Sequence, residues 1–192
     1  MTRTDWRHTR TDRLWLDLPT DADVDDLHAI HSDPESWRHF PGGRHTVRDE
    51  SASMVAQSES QFRRNGLGYW SVRDRAEGPV LGRGGCSLVT GRPWWNLYYR
   101  FATSAHGRGY ATEMGLRAIE AARDVGPELP VIAYLLEHNT ASRRTAERLG
   151  LRLAWRGPDR PNPDPDAVRL VYVDREPGPE LVAAIEAHAL EG

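Results

Sequence analysis

Two glycines separated by one residue stand immediately before a stretch with helical periodicity. They are Gly107 and Gly109, in the segment SAHGRGYATEMG at residues 104–115. The first turn of a helix exposes backbone N–H groups that have no intrahelical partner, and glycine lets the preceding chain bend so that these groups face outward. The helix dipole and Arg108 add positive charge there. Such a pattern can form a pyrophosphate site, but on its own it is a weak signal, and a tight strand–helix turn is the simpler interpretation.

Two well-known phosphate-binding loops do not fit this segment. A P-loop requires a lysine after its second glycine, and all 25 basic residues of the chain are arginines. A Rossmann fingerprint requires a third glycine three residues after the second, and Thr112 stands at that position. The glycines alone therefore leave the ligand open.

A second pair of polar residues begins another predicted helix about 30 residues later. Asn139 and Ser142 are three residues apart in the segment NTASRRTAERLG, so both side chains face the same side of that helix. An N-cap is the simplest interpretation, and a cap residue can also contact a ligand. Glu137 and His138 end the apolar run before it, where each is either a base or an ordinary polar residue at a strand end.

The periodicity of the chain predicts strands and helices in the order β α α β β β α β α β β α. This mixture is typical of one layered α/β domain, with parallel strands on either side of the helix that follows the glycines. A single domain is predicted for residues 1–192, with its core at 12–174 and a C-terminal helix at 178–190.

Composition excludes several classes of function. The net charge of −3 argues against a nucleic-acid binder, and no run of about 18 apolar residues predicts a membrane segment. Cys86 is the single cysteine, and His28 and His31 have no third ligand in view, so no metal is predicted. A cytoplasmic protein, monomeric or homodimeric, is the expectation.

Three separated segments together resemble the GNAT family of acetyl-CoA-dependent N-acetyltransferases, in its RimJ/RimL-like branch. They are AHGRGYATEMGLRAIEAA, EHNTASRRTAERLGL and TDRLWLDLPTDADVDDLHAIHSDPE. The first resembles the pyrophosphate loop of that family, with His106 where glutamine or arginine is usual. The resemblance implies a GNAT fold: a mixed, mostly antiparallel sheet of six to seven strands with a parallel splayed pair and helices on both faces.

The resemblance also implies how acetyl-CoA, the co-substrate, is held. Phe101, Ala102 and Thr103 would bind the pantetheine, with an oxyanion donor among the amides near Phe101 or Ala102. The pyrophosphate loop would comprise His106, Gly107, Arg108, Gly109, Tyr110, Ala111 and Thr112. Asn139 would bond the pantetheine arm, and Ser142 would also touch the cofactor and protonate the leaving thiolate.

The resemblance says less about the residues that would bind and deprotonate the acceptor amine. Many relatives carry glutamate where this chain has Asn96, which cannot act as a base. The chain therefore uses another group, for which Glu137 is the candidate carboxylate, or relies on water. Tyr98 stands where relatives usually have glycine. The candidate walls of the acceptor pocket are Trp37, Phe40, Trp70, Trp94, Trp95, Asn96 and Tyr98.

The function implied is transfer of an acetyl group to a primary amine by direct attack in a ternary complex. The acceptor would be a protein N-terminus, an amino acid or a small amine, with no nucleic-acid or membrane partner. A non-catalytic acyl-CoA-binding module is the alternative, because the usual glutamate is missing. A nucleotide-binding fold is a weaker third possibility.

Overall fold

The computed structural model describes residues 4–89, 91–160 and 162–191. Within these ranges the chain forms eight strands and five α-helices. The strands are β1 His8–Arg10, β2 Trp15–Asp17, β3 Tyr69–Arg73, β4 Gly82–Leu88, β5 Trp95–Phe101, β6 Val131–Leu136, β7 Arg152–Pro158 and β8 Val168–Val173. The helices are α1 Val24–Ser32, α2 Arg48–Asn65, α3 Tyr110–Val125, α4 Thr140–Arg148 and α5 Pro179–Glu191.

The strands form one mixed sheet in the order β1-β2-β3-β4-β5-β6-β8-β7. Every neighbouring pair is antiparallel except β5 and β6, which are parallel. The predicted mixed sheet with one parallel pair is confirmed, but the strand count of six to seven is wrong. The additional strand is β1, whose three residues His-Thr-Arg carry no apolar alternation by which the sequence could have revealed it.

The parallel pair separates soon after it begins. Its register joins only Trp95 to Val131 and Asn96 to Ile132. From Leu97 onward, the edge of β5 that faces β6 has no partner strand in this register. Unpaired strand edges expose N–H and C=O groups that can bind another extended chain. The separation therefore opens a cleft in the middle of the sheet.

Helices cover both faces of the sheet. A Cβ on Gly84 of β4 would meet Met114 of α3, whereas its neighbour Arg83 donates a hydrogen bond to Ser58 of α2. Adjacent strand residues point to opposite faces, so α3 and α2 lie on opposite sides. The core is correspondingly divided: Trp95 packs with the α3 cluster and Trp94 with Ile185 of α5.

None of the helices in the described part of the chain has the length and apolar character needed to cross a membrane.

Candidate active site

The glycine loop has the backbone conformation that only glycine adopts easily. Gly107 has φ +76° and Gly109, the N-cap of α3, has φ +79°. Both lie in the left-handed region, which a Cβ disfavours. A Cβ at Gly107 would meet nothing within 4 Å, and one at Gly109 would lie 3.6 Å from Arg13. The glycines thus serve the turn, and the space in front of the loop is open.

Residues far away in sequence fix this loop. Glu113, in the first turn of α3, accepts hydrogen bonds from Thr11 Oγ1 at 2.5 Å and from the Arg13 amide at 2.9 Å. Arg13 Nη1 in turn donates to the carbonyl of Arg108 at 3.1 Å. Partial burial opposes ionisation of Glu113, but the bonds from Thr11 and Arg13 hold its pKa below the ordinary value. The loop is therefore held in place from outside the site.

A cavity of about 500 Å³ lies in front of the loop, between β5 and α4. Ten of the predicted cofactor residues line it: Phe101, Thr103, His106, Gly107, Gly109, Tyr110, Ala111, Thr112, Asn139 and Ser142. Arg144 and Arg148 of α4 add positive charge to the same wall. The structure therefore brings together residues from two segments that the sequence separates by about 30 positions.

Two predicted cofactor residues lie outside this wall. The Ala102 amide donates to the carbonyl of Leu81 at 2.8 Å, so it is not an oxyanion donor. Arg108 extends over the ring of Tyr110 and lies 3.8 Å from a carboxylate oxygen of Asp74. Neither side chain is among those that line the cavity.

Strand alternation leaves another residue to offer its amide to the cleft. Because the Ala102 amide points to β4, the backbone groups of Phe101 point the other way, toward β6. The Phe101 carbonyl lies 3.1 Å from His106 Nε2, and since a carbonyl only accepts, this nitrogen donates. His106 thereby joins the loop to β5.

At the start of α4, Asn139 and Ser142 form an N-cap and also face the cavity. Asn139 is the N-cap, and its side chain accepts a hydrogen bond from the Ser142 amide at 3.1 Å. The carbonyl of Ser142 accepts another from Tyr99 of β5, also at 3.1 Å. Asn139 and Ser142 both line the cavity as well. The cap therefore positions polar side chains at the point where β5 and β6 separate.

A second cavity, of about 400 Å³, adjoins the first. Of the predicted acceptor residues, Phe40, Asn96 and Tyr98 line it. Trp37 does not line this cavity. The centre of its ring lies 3.3 Å from Cζ of Arg100, and Arg100 does line the cavity. The two cavities share the wall residues Ser36, His39, Tyr99, Arg100, Asn139 and Ser142.

Positive charge exceeds negative charge around the second cavity. Asp159, the one carboxylate among its described wall residues, is buried and pairs with Arg169. Partial burial, together with the field of Arg92 and Arg169, lowers the pKa of His188 to about 4. Burial also raises the pKa of the Tyr134 hydroxyl. His188 and Tyr134 are therefore neutral near pH 7, and the carboxylate of Asp159 is already paired.

Three tryptophans predicted for the acceptor pocket are instead core residues. Trp70 is fully buried on the α3 face, where its indole N–H donates to the carbonyl of Trp6 at 2.7 Å. Trp94 and Trp95 are also buried, on opposite faces. Strand alternation places Trp70 away from the cleft, and its neighbour Tyr69 occupies the acceptor side.

Glu137 is not placed to act as a base. Both carboxylate oxygens accept from Arg156, at 2.7 and 3.0 Å. Hydrogen bonding to Arg156 lowers the pKa of Glu137, and the side chain lines neither cavity. Among the described residues, no group of three or more His, Cys, Asp or Glu side chains is arranged to hold a metal ion.

A comparison with protein families decides the identity of this fold. The model of the GNAT acetyltransferase domain matches residues 13–152, which is most of the chain. The chain belongs to the GNAT acetyltransferase family. Acetyl-CoA is accordingly its co-substrate, and acetyl transfer is its reaction class.

Solved structures of GNAT acetyltransferases share this fold. A GNAT acetyltransferase from Bacillus anthracis has TM-score 0.72 and 18% identity, covering 86% of this chain and 96% of its own. The ribosomal-protein-S5-alanine acetyltransferase from Vibrio fischeri has TM-score 0.70 and 14% identity, covering 88% and 99%. RimL, a ribosomal L7/L12 α-N-protein acetyltransferase solved with coenzyme A, has TM-score 0.69 and 16% identity, covering 86% and 97%. Enzymes of the RimJ/RimL type are thus among its structural neighbours.

The residues of this GNAT acetyltransferase fit acetyl-CoA. The open, left-handed loop at Gly107 and Gly109 leaves room for a pyrophosphate against the N-terminus of α3. The unpaired edge of β5 offers backbone groups to an extended pantetheine. These two features lie on one wall of the larger cavity, so a single molecule can use both.

Proposed function

We propose that this acetyltransferase transfers the acetyl group to a primary amine by direct attack in a ternary complex. The acceptor is a protein N-terminus, an amino acid or a small amine. The observation that carries this proposal is the common wall of the two cavities, which includes Asn139 and Ser142. A thioester entering from the larger cavity and an amine from the smaller one meet at that wall, so proximity supplies much of the catalysis.

In the chemical step, the amine nitrogen forms a bond to the thioester carbon. The carbonyl oxygen becomes an oxyanion, for which the cleft-facing amide of Phe101 is a candidate donor. The C–S bond then breaks, and the CoA sulfur leaves with its electron pair and takes a proton from the Ser142 hydroxyl. Solvent restores that proton and accepts the one lost by the amine.

Direct attack is also favoured by the state of the cysteine. Cys86 is fully buried in the core, and burial raises the pKa of its thiol. A nucleophilic cysteine requires an accessible thiolate. Cys86 is therefore no candidate for carrying an acetyl group between the two substrates.

Replacing Ser142 with alanine tests whether its hydroxyl protonates the leaving thiolate. The N-cap bond uses the Ser142 backbone amide, so Ser142→Ala keeps it and removes only the hydroxyl. We expect kcat to fall about a hundredfold while the Kd of acetyl-CoA changes little. An unchanged kcat would remove Ser142 from the mechanism.

The alternative is a non-catalytic acyl-CoA-binding module. It is favoured by one observation: the only carboxylate on the described wall of the smaller cavity, Asp159, is held by Arg169. Tight CoA binding without thiol release in the presence of any of a panel of amines would support this alternative against the enzyme.

A further inference from the structure

Two uncharged oxygen acceptors stand side by side on β5. Asn96 and Tyr98 are two residues apart on the strand, so their side chains leave the sheet on the same face. Both line the smaller cavity, and both side chains are partly exposed. An amide oxygen and a phenol oxygen each accept hydrogen bonds without carrying charge. Which atoms they offer depends on the groups behind them.

Tyr69 fixes the direction of the Asn96 amide. Its hydroxyl lies 3.4 Å from the backbone carbonyl of Asn96, which can only accept, so the hydroxyl proton points there. The side-chain Nδ2 of Asn96 lies 2.7 Å from the same hydroxyl oxygen and must donate to it. With Nδ2 bound in this way, Oδ1 is the end of the amide left for a ligand.

His31 fixes the direction of the Tyr98 hydroxyl. His31 Nδ1 lies 2.9 Å from the carbonyl of Leu27, so it carries the ring proton and donates. Nε2 is then a bare acceptor, and it lies 3.4 Å from the Tyr98 hydroxyl oxygen. Tyr98 also accepts a hydrogen bond from Arg100 Nε at 3.0 Å. A hydroxyl has one proton and two acceptor positions, so one acceptor position of Tyr98 is left.

His31 is held in its neutral form by its surroundings. It is 1% exposed, and burial lowers its pKa to about 3, with smaller effects from Arg83, His45 and Arg100. The charged or titratable groups that face it are these three from β4, the α1–α2 connection and β5, together with Tyr98. His31 is therefore an acceptor for the Tyr98 proton across the working range of pH.

We propose that Asn96 Oδ1 and Tyr98 Oη receive the two N–H groups of the acceptor amine in its uncharged form. This inference rests on the proposed function and concerns the same site. Tyr69 and His31 act as positioning residues, because they set the direction of the two acceptors without touching the amine.

The chemistry of the amine explains what such a pair achieves. A neutral primary amine has two N–H groups and one lone pair, so binding both N–H groups leaves the lone pair for the thioester carbon. An ammonium ion has three N–H groups and no lone pair, and two neutral acceptors give it no compensating charge. As the C–N bond forms and the C–S bond breaks, one N–H proton passes to water, and the sulfur leaves with the bond pair. Selection of the neutral amine thus takes the place of an enzymic base.

The kinetic test uses alanyl-alanine amide, whose α-amine has a pKa of about 8. We expect kcat/KM for this amine to rise about tenfold per pH unit below that pKa and to level above it. With Nα-acetyl-lysine amide, whose amine has a pKa of about 10.4, the rise should continue to correspondingly higher pH. A profile that stays in place when the amine is changed would overturn the proposal, since it would report an ionisation of the enzyme.

Tyr98→Phe and Tyr69→Phe remove one hydroxyl each and keep both rings. Each should lower kcat/KM for the amine about tenfold, with the KM for acetyl-CoA unchanged. Tyr172→Phe is the matched control, because it loses a comparable bond to Glu147 away from both cavities and should leave kcat/KM unchanged. Circular dichroism of each variant monitors folding. If the two site variants behave like Tyr172→Phe, the pair does not bind the amine.

A binding measurement keeps the proposal testable without turnover. Calorimetry would follow alanyl-alanine amide added to the CoA complex at pH 6.5 and pH 8.5. The affinity should rise at least about tenfold at the higher pH and be about tenfold weaker in Tyr98→Phe. Absence of thiol release with this binding pattern intact would refute the proposed function alone. Equal affinity at both pH values, or no binding, would refute the amine site.

Discussion

The rings of Tyr69 and Tyr98 lie 5.4 Å apart although their strands are not neighbours in the sheet. Strand β4 lies between them, and Gly85 is the residue opposite both. The register of the three strands thus brings the two tyrosines together across β4. This contact unites the two halves of the proposed amine site, with Asn96 held by Tyr69 and Tyr98 lying beside it.

Alanine at Gly85 should disrupt this arrangement. The new Cβ would lie 2.7 Å from the Gly68 carbonyl and 3.1 Å from the Trp70 ring, at φ +142°. We expect Gly85→Ala to lower the free energy of unfolding by about 2–4 kcal/mol, as measured in urea. Gly91→Ala is the control, with φ +80° and open space around it, and should cost only about 1 kcal/mol. Equal losses would show that the close approach is unimportant.

Alanine at Gly107 should weaken binding of acetyl-CoA. The site has room for a methyl group, but φ +76° is strained for alanine, so the loop amides would turn away from the pyrophosphate. Loss of one or two charge-assisted bonds should raise the Kd of acetyl-CoA at least about tenfold in calorimetry. Gly91→Ala carries the same backbone strain outside the loop and should leave this Kd unchanged. A Kd unaffected by Gly107→Ala would argue against binding of the pyrophosphate by this loop.

Neutralising Glu137 should have little effect on catalysis. Its carboxylate is 41% exposed and bonded to Arg156, and it lines neither cavity. We expect kcat for Glu137→Gln to stay within about twofold of the parent, as is usual for exposed ion pairs. Arg156→Gln, which breaks the same pair from the other side, should behave alike. A hundredfold loss of kcat in Glu137→Gln but not in Arg156→Gln would indicate that Glu137 is the base after all.

The parts of the site that the sequence could predict rest on local signals. Left-handed glycines before a helix, and Asn139 with Ser142 at the start of another, depend on residues within a few positions of each other. The turn at the glycines and the N-cap were therefore predictable from the sequence, whereas the ligand of the loop was not. The resemblance to the GNAT family then placed both at one cleft, and the structure brings them to a common wall.

The parts that the sequence missed depend on distant residues. Glu113 meets Thr11 and Arg13 about 100 positions away, and nothing local marks that contact. Trp70 and Tyr69 are adjacent and both aromatic, and only the packing of the helices decides which one faces the cleft. Alternation along a strand places the two on opposite faces, but it does not say which face each one takes. The three-residue strand β1 likewise depends on its partner, β2, rather than on its own residues.

Stability should fall as the solution becomes mildly acidic, because His31 is buried in its neutral form. Its pKa is about 3 in the folded chain against an ordinary value of 6.5, so below pH 6.5 the unfolded chain binds a proton that the folded chain does not. Its contribution is complete above pH 6.5 and is lost progressively as the pH falls toward 3. Between pH 6 and 5, His31 should contribute a slope approaching about 1.4 kcal/mol per pH unit.

Urea unfolding of the parent chain and of His31→Gln at several pH values from 7.5 to 5 measures this slope. The substitution itself alters packing, so the comparison concerns the dependence on pH rather than the absolute free energy. The parent should lose stability more steeply than His31→Gln over this range. Parallel curves would mean that His31 is not held neutral in the folded protein.

Direct transfer in a ternary complex is tested most directly by the stoichiometry of the reaction. The chain would be mixed with acetyl-CoA, with and without alanyl-alanine amide, while thiol release and acetylated amide are quantified together by absorbance and mass spectrometry. Direct attack predicts one acetylated amide for each thiol released, almost no release without the amine, and no change in the mass of the protein. Acetyl-CoA that binds without any amine-dependent release, or a protein that gains an acetyl group before the amine is added, would contradict it.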